Sequence, residues 1–381
     1  MQTRRGGPLR VLVASAELDS VTGPSTLATG RGLKDLGHEV VVASLSPAPI
    51  DRASLPAEVP IVAPEIAGES DVERAGAAWL RLIAARMKPD VIHAQGGIAA
   101  VAARAATGHG CPLVVSAPLR PGAADLRAGV LDACRGATAL VAPTRDAAAR
   151  LQMMTGADER RLQVIPPTAD HHPWDAALRG NRTRPGRMVG ALSDLVMEAA
   201  MEDFLHAAAS IVAQRSDVTF VVLGDPRQRR RLEQVAAVLG IRERVGFVRD
   251  LGHARSVLGR LDVLCLPGGS DSTPFAAVHA MAAGTPIVAA DVPELVETVG
   301  SGRDALLVPP ADAEGLGAAV CQVLDRALLA RRLTRAARRH WRHAHSVSRV
   351  AARYERLFLD CVEPQPAASP AAEPLVAPAS A

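Results

Sequence analysis

Two doubly wound α/β domains facing a central cleft are what this sequence predicts. Three observations lead there. Short apolar runs of strand length, such as Leu9 to Ala16, Val91 to Ala94 and Asp262 to Leu266, alternate with longer segments of helical periodicity. The alternation occurs twice, before and after a polar stretch from His171 to Arg187 that carries Pro173, Gly180, Pro185 and Gly186. The runs are mostly apolar throughout, as in parallel strands buried on both faces. The expected organisation is a first Rossmann-like domain over 8–175, a linker over 176–187 and a second Rossmann-like domain over 188–335. A helical segment over 336–361 could return to the first domain, and a disordered tail is expected over 362–381.

Composition narrows the class. A chain of 381 residues with 48% hydrophobic content can fill two cores. Aromatics are only 2%, so those cores are built from Ala, Val and Leu. The net charge of +3 argues neither for nor against nucleic acid. The basic residues are nearly all Arg, with Lys only at Lys34 and Lys88. Cys111, Cys134, Cys265, Cys321 and Cys361 lie far apart, so neither a zinc site nor a disulfide framework is expected, and a reducing cytosol fits. The N-terminus has no apolar signal core, and no run approaches the ~20 apolar residues of a membrane span.

In order, Leu9 to Ala16 is a strand, Thr26 to Leu36 a helix ended by Gly37, and Glu39 to Leu45 a strand. A short strand over Val59 to Val62 and a helix over Val72 to Met87 follow. Strands are expected at Val91 to Ala94, Cys111 to Ser116, Ala139 to Pro143 and Leu162 to Ile165, with a helix over Asp146 to Thr155. His93 and Gln95 fall on one face of their strand.

The second series has strands at Met188 to Leu192, Thr219 to Leu223, Val245 to Val248, Asp262 to Leu266, Ile287 to Ala290 and Ala305 to Val308. Its helices are Met201 to Arg215, Arg227 to Leu239 and Asp312 to Leu333. The stretch from Leu261 to Asp291 is the most informative. After its strand, Pro267, Gly268 and Gly269 break the chain, Ser272 or Thr273 can cap a helix, and Pro274 fits its first position. Phe275 to Ala283 continues that helix, Gly284 ends it, and Ile287 starts the next strand. The loop faces the crevice where open α/β sheets bind ligands, and the helix start is expected to offer unpaired N–H groups to an anion.

Ala280-Met281-Ala282-Ala283-Gly284-Thr285-Pro286 resembles the Ala-Met-Ala-x-Gly-x-Pro tail of retaining family-4 glycosyltransferases of the GT-B fold. The segments around Gly30 to Ser44, Pro89 to Gly97, Val221 to Asp225 and Ala290 to Val299 are similar to that family as well. The resemblance covers about residues 8 to 358. It implies a GT-B fold, no metal cofactor, a nucleotide-sugar donor, a glycan or lipid-linked acceptor, and a cytoplasmic protein that could sit on the inner face of the membrane. A sugar-nucleotide epimerase is a weaker reading.

The resemblance also implies site residues, and here the sequence departs from the family. Asp271 and His279 stand where the family has two Glu, so Asp271 becomes the catalytic candidate and His279 a donor-binding one. Gly23, Gly190, Ser272, Thr273 and Phe275 complete the donor side, and His93 is the acceptor-side candidate. Plain alternatives stand beside these: Gly23 as a turn, Asp271 as a helix-capping carboxylate, His93 and His279 as packed histidines. The family's diphosphate-binding Arg and Lys align with Ala191 and Val196, and a His near the sugar aligns with Pro118. Arg184 and Arg187 lie close enough upstream to replace a lost cation. These departures leave two expectations, a transferase with altered side chains or a lapsed relative that binds or scaffolds. The Arg/His-rich run from Arg331 to Arg356 reads as a solvated face that could touch anionic lipid headgroups.

Overall fold

The computed structural model describes residues 7–16, 18, 20–45, 59–63, 72–107, 110–116, 128–170, 186–193, 198–224, 229–248, 257–300 and 302–363. Two wholly parallel sheets organise them. The first has seven strands in the order β3-β2-β1-β4-β5-β6-β7, and the second has six in the order β10-β9-β8-β11-β12-β13. The strands of the first are β1 Arg10–Ser15, β2 Glu39–Ser44, β3 Ile61–Val62, β4 Val91–Gln95, β5 Leu113–Ser116, β6 Ala139–Ala142 and β7 Leu162–Val164. Those of the second are β8 Arg187–Ser193, β9 Val218–Gly224, β10 Val245–Val248, β11 Val263–Leu266, β12 Ile287–Ala290 and β13 Leu306–Val308. In each sheet the chain order reverses beside the first strand, between β1 and β4 and between β8 and β11. Such switch points open a crevice at the carboxyl ends of the strands.

Between the strands run α1 Gly23–Asp35, α2 Val72–Met87, α3 Gly97–Thr107, α4 Ala128–Gly136 and α5 Arg145–Thr155. The second series adds α6 Glu198–Gln214, α7 Arg229–Val238, α8 Thr273–Ala283, α9 Pro293–Val299, α10 Ala313–Asp325, α11 Ala327–His340 and α12 Val347–Val362.

Most strand expectations agree with these bounds; the helices differ in instructive ways. α1 begins at Gly23 rather than Thr26, because Pro24 sits in the first turn, where its missing N–H costs nothing. α3 and α4 are not visible as a polar–apolar pattern. The inner face of α3 is Ala99, Ala100, Ala102 and Ala103, all buried, so it is marked by small size rather than by hydrophobic contrast. The single helix expected from Asp312 to Leu333 is two helices that break at Arg326, where neither Gly nor Pro signals an end. The expected linker, apart from Gly186 and Arg187, and the tail from 364 lie outside the described residues.

The crossover from second sheet to first sets the cleft. α11 passes through a wide π-type turn, Trp341–His345, into α12. That turn grips the segment that leaves β7. Trp341 Nε1 donates to the Ala169 carbonyl at 3.2 Å, Thr168 Oγ1 donates to the His345 carbonyl at 2.7 Å, and His345 Nδ1 donates to the Pro167 carbonyl at 3.0 Å. Burial lowers the His345 pKa to about 4, so the ring is neutral. α12 then lies on α1. A Cβ at Gly32 would stand 2.7 Å from both Ala351 Cβ and Val347 Cγ1, closer than carbon atoms pack. Gly32 is therefore the point where the two helices touch.

Gly32→Val should loosen this contact and lower stability by about 1–3 kcal/mol. Gly30→Ala, where the added carbon meets Val42 at an ordinary 3.5 Å, should be neutral or stabilising by up to about 1 kcal/mol. Urea midpoints of the two variants check the contrast.

Candidate functional site

The carboxyl ends of β1, β4 and β5 carry Ser15, Gln95 and Ser116 in register. His93 lies two residues before Gln95, beside Val13 and Val114, and is 2% exposed. Its Nε2 is 2.8 Å from Ser116 Oγ, which is 3.4 Å from the Tyr354 hydroxyl on α12. The His93 ring also stacks at a tilt against Tyr354, centroids 4.9 Å apart, and against Phe358. Burial holds its pKa at about 4 and pushes that of Tyr354 up to about 12, so both are neutral. His93 Nδ1 is buried without a hydrogen-bond partner among the described residues. An unmet polar atom of this kind favours a ligand hydroxyl.

These groups floor a narrow cleft whose walls include Thr22, Ser25, Thr26 and Thr29 near the start of α1 and Phe275 from α8. Among the described lining residues the polar groups are hydroxyls, the Gln95 amide and the neutral imidazole; none is a carboxylate or a cation. The enclosed space is about 30 Å³, room for a water-sized group, so the described lining can receive a single ligand hydroxyl and supplies no charge to a phosphate.

The donor-side candidates are spread over three elements: Ser272, Thr273, Phe275 and His279 belong to α8 and its N-cap, with Phe275 on the cleft, while Gly23 begins α1 and Gly190 lies within β8. Asp271 accepts from Arg150 Nη2 of α5 at 2.8 Å, with side chains only 11% and 19% exposed. Arg150 also pairs with Asp146 one turn earlier. Asp271 is thus tied to α5 of the first sheet, and the N-cap position of α8 is Ser272. A second bridge joins the same elements, where the Arg145 amide donates to Glu297 of α9 at 2.8 Å.

The α8 start does not offer the open amides expected of it. The Ser272 amide donates to Ser270 Oγ, and that of Thr273 to the Ser270 carbonyl. The amides of Phe275 and Ala276 both donate to the Ser272 carbonyl, and Pro274 has none to give. The residues Ser270, Ser272 and Thr273 are bound to one another. Thr273 Oγ1 accepts from the Ser270 amide and donates to its carbonyl, and the Ser270 and Ser272 hydroxyls are 2.8 Å apart. The short polar side chains fold the loop back on itself, so the turn satisfies the amides an anion would use. His279 is one turn beyond Phe275 and half-buried.

The glycines have packing reasons. A Cβ at Gly23 would fall 1.8 Å from the Leu18 carbonyl oxygen, and one at Gly190 would fall 2.5 Å from Leu261 Cδ1. Ala191 is fully buried in the second core, beside Val222 and Cys265, with no room for a guanidinium. Arg187 pairs with Asp262 at the amino end of the strands, away from the cleft. Pro118, Arg184 and Val196 lie outside the described residues. Sequence reasoning missed Arg150, Ser116 and Tyr354; they are unremarkable within their own helices and strand, and only the crossover and the cleft bring them together. Among the described residues no cluster of three or more His, Cys, Asp or Glu could hold a metal, and no helix is long and apolar enough to cross a membrane.

Residues 23–172 match the family model described as Glycosyltransferase Family 4, and residues 186–326 match the one described as Glycosyl transferases group 1. The chain is 35% identical to a D-inositol 3-phosphate glycosyltransferase of Geodermatophilus obscurus over 53% of its length and 48% of that protein. It is 30% identical to a 2-deoxystreptamine glucosyltransferase of Streptomyces kanamyceticus over 51% of its length and 53% of that protein. The chain thus spans about half the length of the curated relatives it matches. In fold it is similar to Anabaena Alr3699/HepE in complex with UDP and glucose, with a TM-score of 0.71 and 19% identity over 92% of this chain and 99% of that one.

Burying His93 neutral makes stability depend on pH in a definite direction. Its folded pKa of about 4 lies below the roughly 6.5 of an unfolded histidine, so the unfolded state gains the proton first as pH falls. Stability should be full above pH 6.5 and fall by roughly 3 kcal/mol toward pH 4 on account of this residue. His93→Gln should flatten that slope in denaturant titrations run across the window.

Proposed function

We propose that this chain, which belongs to the glycosyltransferase family and has the GT-B fold, binds a neutral saccharide in its cleft and has lapsed as a transferase. The observation that carries the reading is the Arg150–Asp271 ion pair. The carboxylate at the family's sugar-facing position is held by the opposite domain. The cleft beside it offers neutral hydrogen-bonding groups.

Sugar transfer from a nucleotide diphosphate accumulates charge on the leaving group, and that charge needs fixed donors or cations. Ala191 replaces the family's Arg in a packed core, the α8 amides are bonded within their own turn, and Arg187 points elsewhere. Each lost stabiliser costs roughly 2.7–4 kcal/mol of barrier, a factor of 10²–10³ in rate. What remains fits a binding or scaffold role beside active enzymes of glycan assembly, where hydroxyl recognition suffices.

A second reading has its own support. The Ala280–Pro286 turn and the α8 position are kept, and relatives at 30–35% identity are named glycosyltransferases. In that reading the chain transfers a sugar from a nucleotide-diphosphate donor to a glycan or lipid-linked acceptor. His279 and Phe275 then contact the donor, with Gly23, Gly190, Ser272 and Thr273 shaping its site, and His93 faces the acceptor.

Incubation with UDP-glucose, UDP-N-acetylglucosamine and GDP-mannose, with and without oligosaccharide acceptors, separates the two. The lapsed reading predicts no nucleotide release above the uncatalysed rate, together with retention of neutral oligosaccharides that weakens at least ten-fold in His93→Ala. Donor turnover that falls in His279→Ala would establish the transferase instead.

A further inference from the structure

We infer that the arginine face of α11 is a docking surface for an anionic lipid bilayer, independent of whether the cleft transfers sugar. Arg331, Arg335, Arg338, Arg339 and Arg342 line one shallow groove. Their spacing of three, four and seven residues puts them on a single face of the helix. Arg338 anchors the groove, donating through Nη2 to the Ala283 carbonyl at the end of α8, where a cation also complements the helix dipole. Arg331, Arg335, Arg339 and Arg342 are exposed, and none makes an ion pair with a described carboxylate.

That lack of partners is not the habit of this protein. Elsewhere its arginines pair readily, as Arg10 does with Asp90, Arg215 with Asp217 and Asp325, and Arg229 and Arg242 with Glu233. A merely solvated helix face intersperses the two signs of charge. Here the sequence places nine arginines and no carboxylate between Asp325 and Glu355. A face kept free of acid is suited to an external anion.

The exposed apolar residue selects the occupant. Leu328, 81% exposed, lies one turn before Arg331 on the same face. The helix is fixed to the domain by buried Leu333 and Ala337 on its opposite side. A rigid helix that presents arginines with a leucine at one end matches a headgroup layer. The guanidinia meet phosphates and carboxylates, and the leucine reaches the acyl boundary. A nucleic-acid groove would have no use for an exposed leucine, and a free phosphate would engage two or three arginines rather than five along a helix.

Co-sedimentation of the full chain with vesicles tests the proposal. Binding is expected to phosphatidylcholine vesicles that contain about 30% phosphatidylserine, chosen within the anionic range of cytoplasmic leaflets, and not to phosphatidylcholine alone. It should be lost at high salt, where the Debye length shrinks to ~3 Å. Arg335→Gln with Arg339→Gln should weaken binding on the order of 10- to 30-fold. Leu328→Ser should weaken it several-fold, and Arg335→Lys should retain it; all are exposed positions at which the melting temperature should hold. Free phosphoserine or inorganic pyrophosphate should not compete. No sedimentation, equal binding to neutral vesicles, indifference to the double substitution, displacement by free phosphate, or preference for a DNA duplex would each overturn it.

Discussion

The Arg150–Asp271 ion pair is the constraint on which the cleft depends. It joins α5 of the first sheet to the loop that opens α8 of the second, and it is largely screened from water. A charge pair in that setting is held firmly, because parting it would leave one partly buried charge without its counter-ion. Its consequence is chemical as much as mechanical. The Asp271 carboxylate is neutralised, and the described lining of the cleft is a set of hydroxyls, one amide and a neutral imidazole. The described groups there can hydrogen-bond a hydroxyl, and none of them carries a positive charge toward a leaving diphosphate.

The pair can form because the crossover holds the two sheets in place. The π-type turn at Trp341–His345 grips the segment Pro167 to Ala169 with three hydrogen bonds, two to its carbonyls and one from the Thr168 hydroxyl, and Asp170 beyond it pairs with Arg31 of α1. α12 then reaches back across α1 at Gly32 and supplies Tyr354 to the floor of the site. In a chain with very few aromatics, Trp341, Tyr354, Phe358 and Phe275 gather at the crossover and the cleft. Large rings with a polar edge fix geometry where small side chains cannot, while Ala and Val suffice for the parallel sheets.

The fold was legible because parallel strands announce themselves. VLVA, VVVA, VLCL and IVAA cannot be mistaken for surface helix, and Gly37 and Gly284 mark where helices end. α3 and the break at Arg326 were not legible, since an alanine face lacks contrast and a break without Gly or Pro leaves no mark. The site was only half legible. Phe275 and His93 line the cleft, and Asp271 stands four residues before Phe275 in the loop that opens α8. Yet the sequence could not say that Asp271 is claimed by Arg150, 121 residues earlier, or that Ser270 and Thr273 close the helix start on themselves. Partners so distant in the chain carry no spacing signal. Ala191 is the reverse case, a position singled out in the sequence whose complete burial explains why a small residue stands there.

The most direct test is calorimetric titration of the purified protein with UDP, GDP and ADP. The lapsed reading predicts no binding of any of the three at millimolar concentration, because the cleft presents neither a free cation nor open helix amides among its described residues. Micromolar affinity for one of them, abolished in His279→Ala, would contradict it and restore a working donor site.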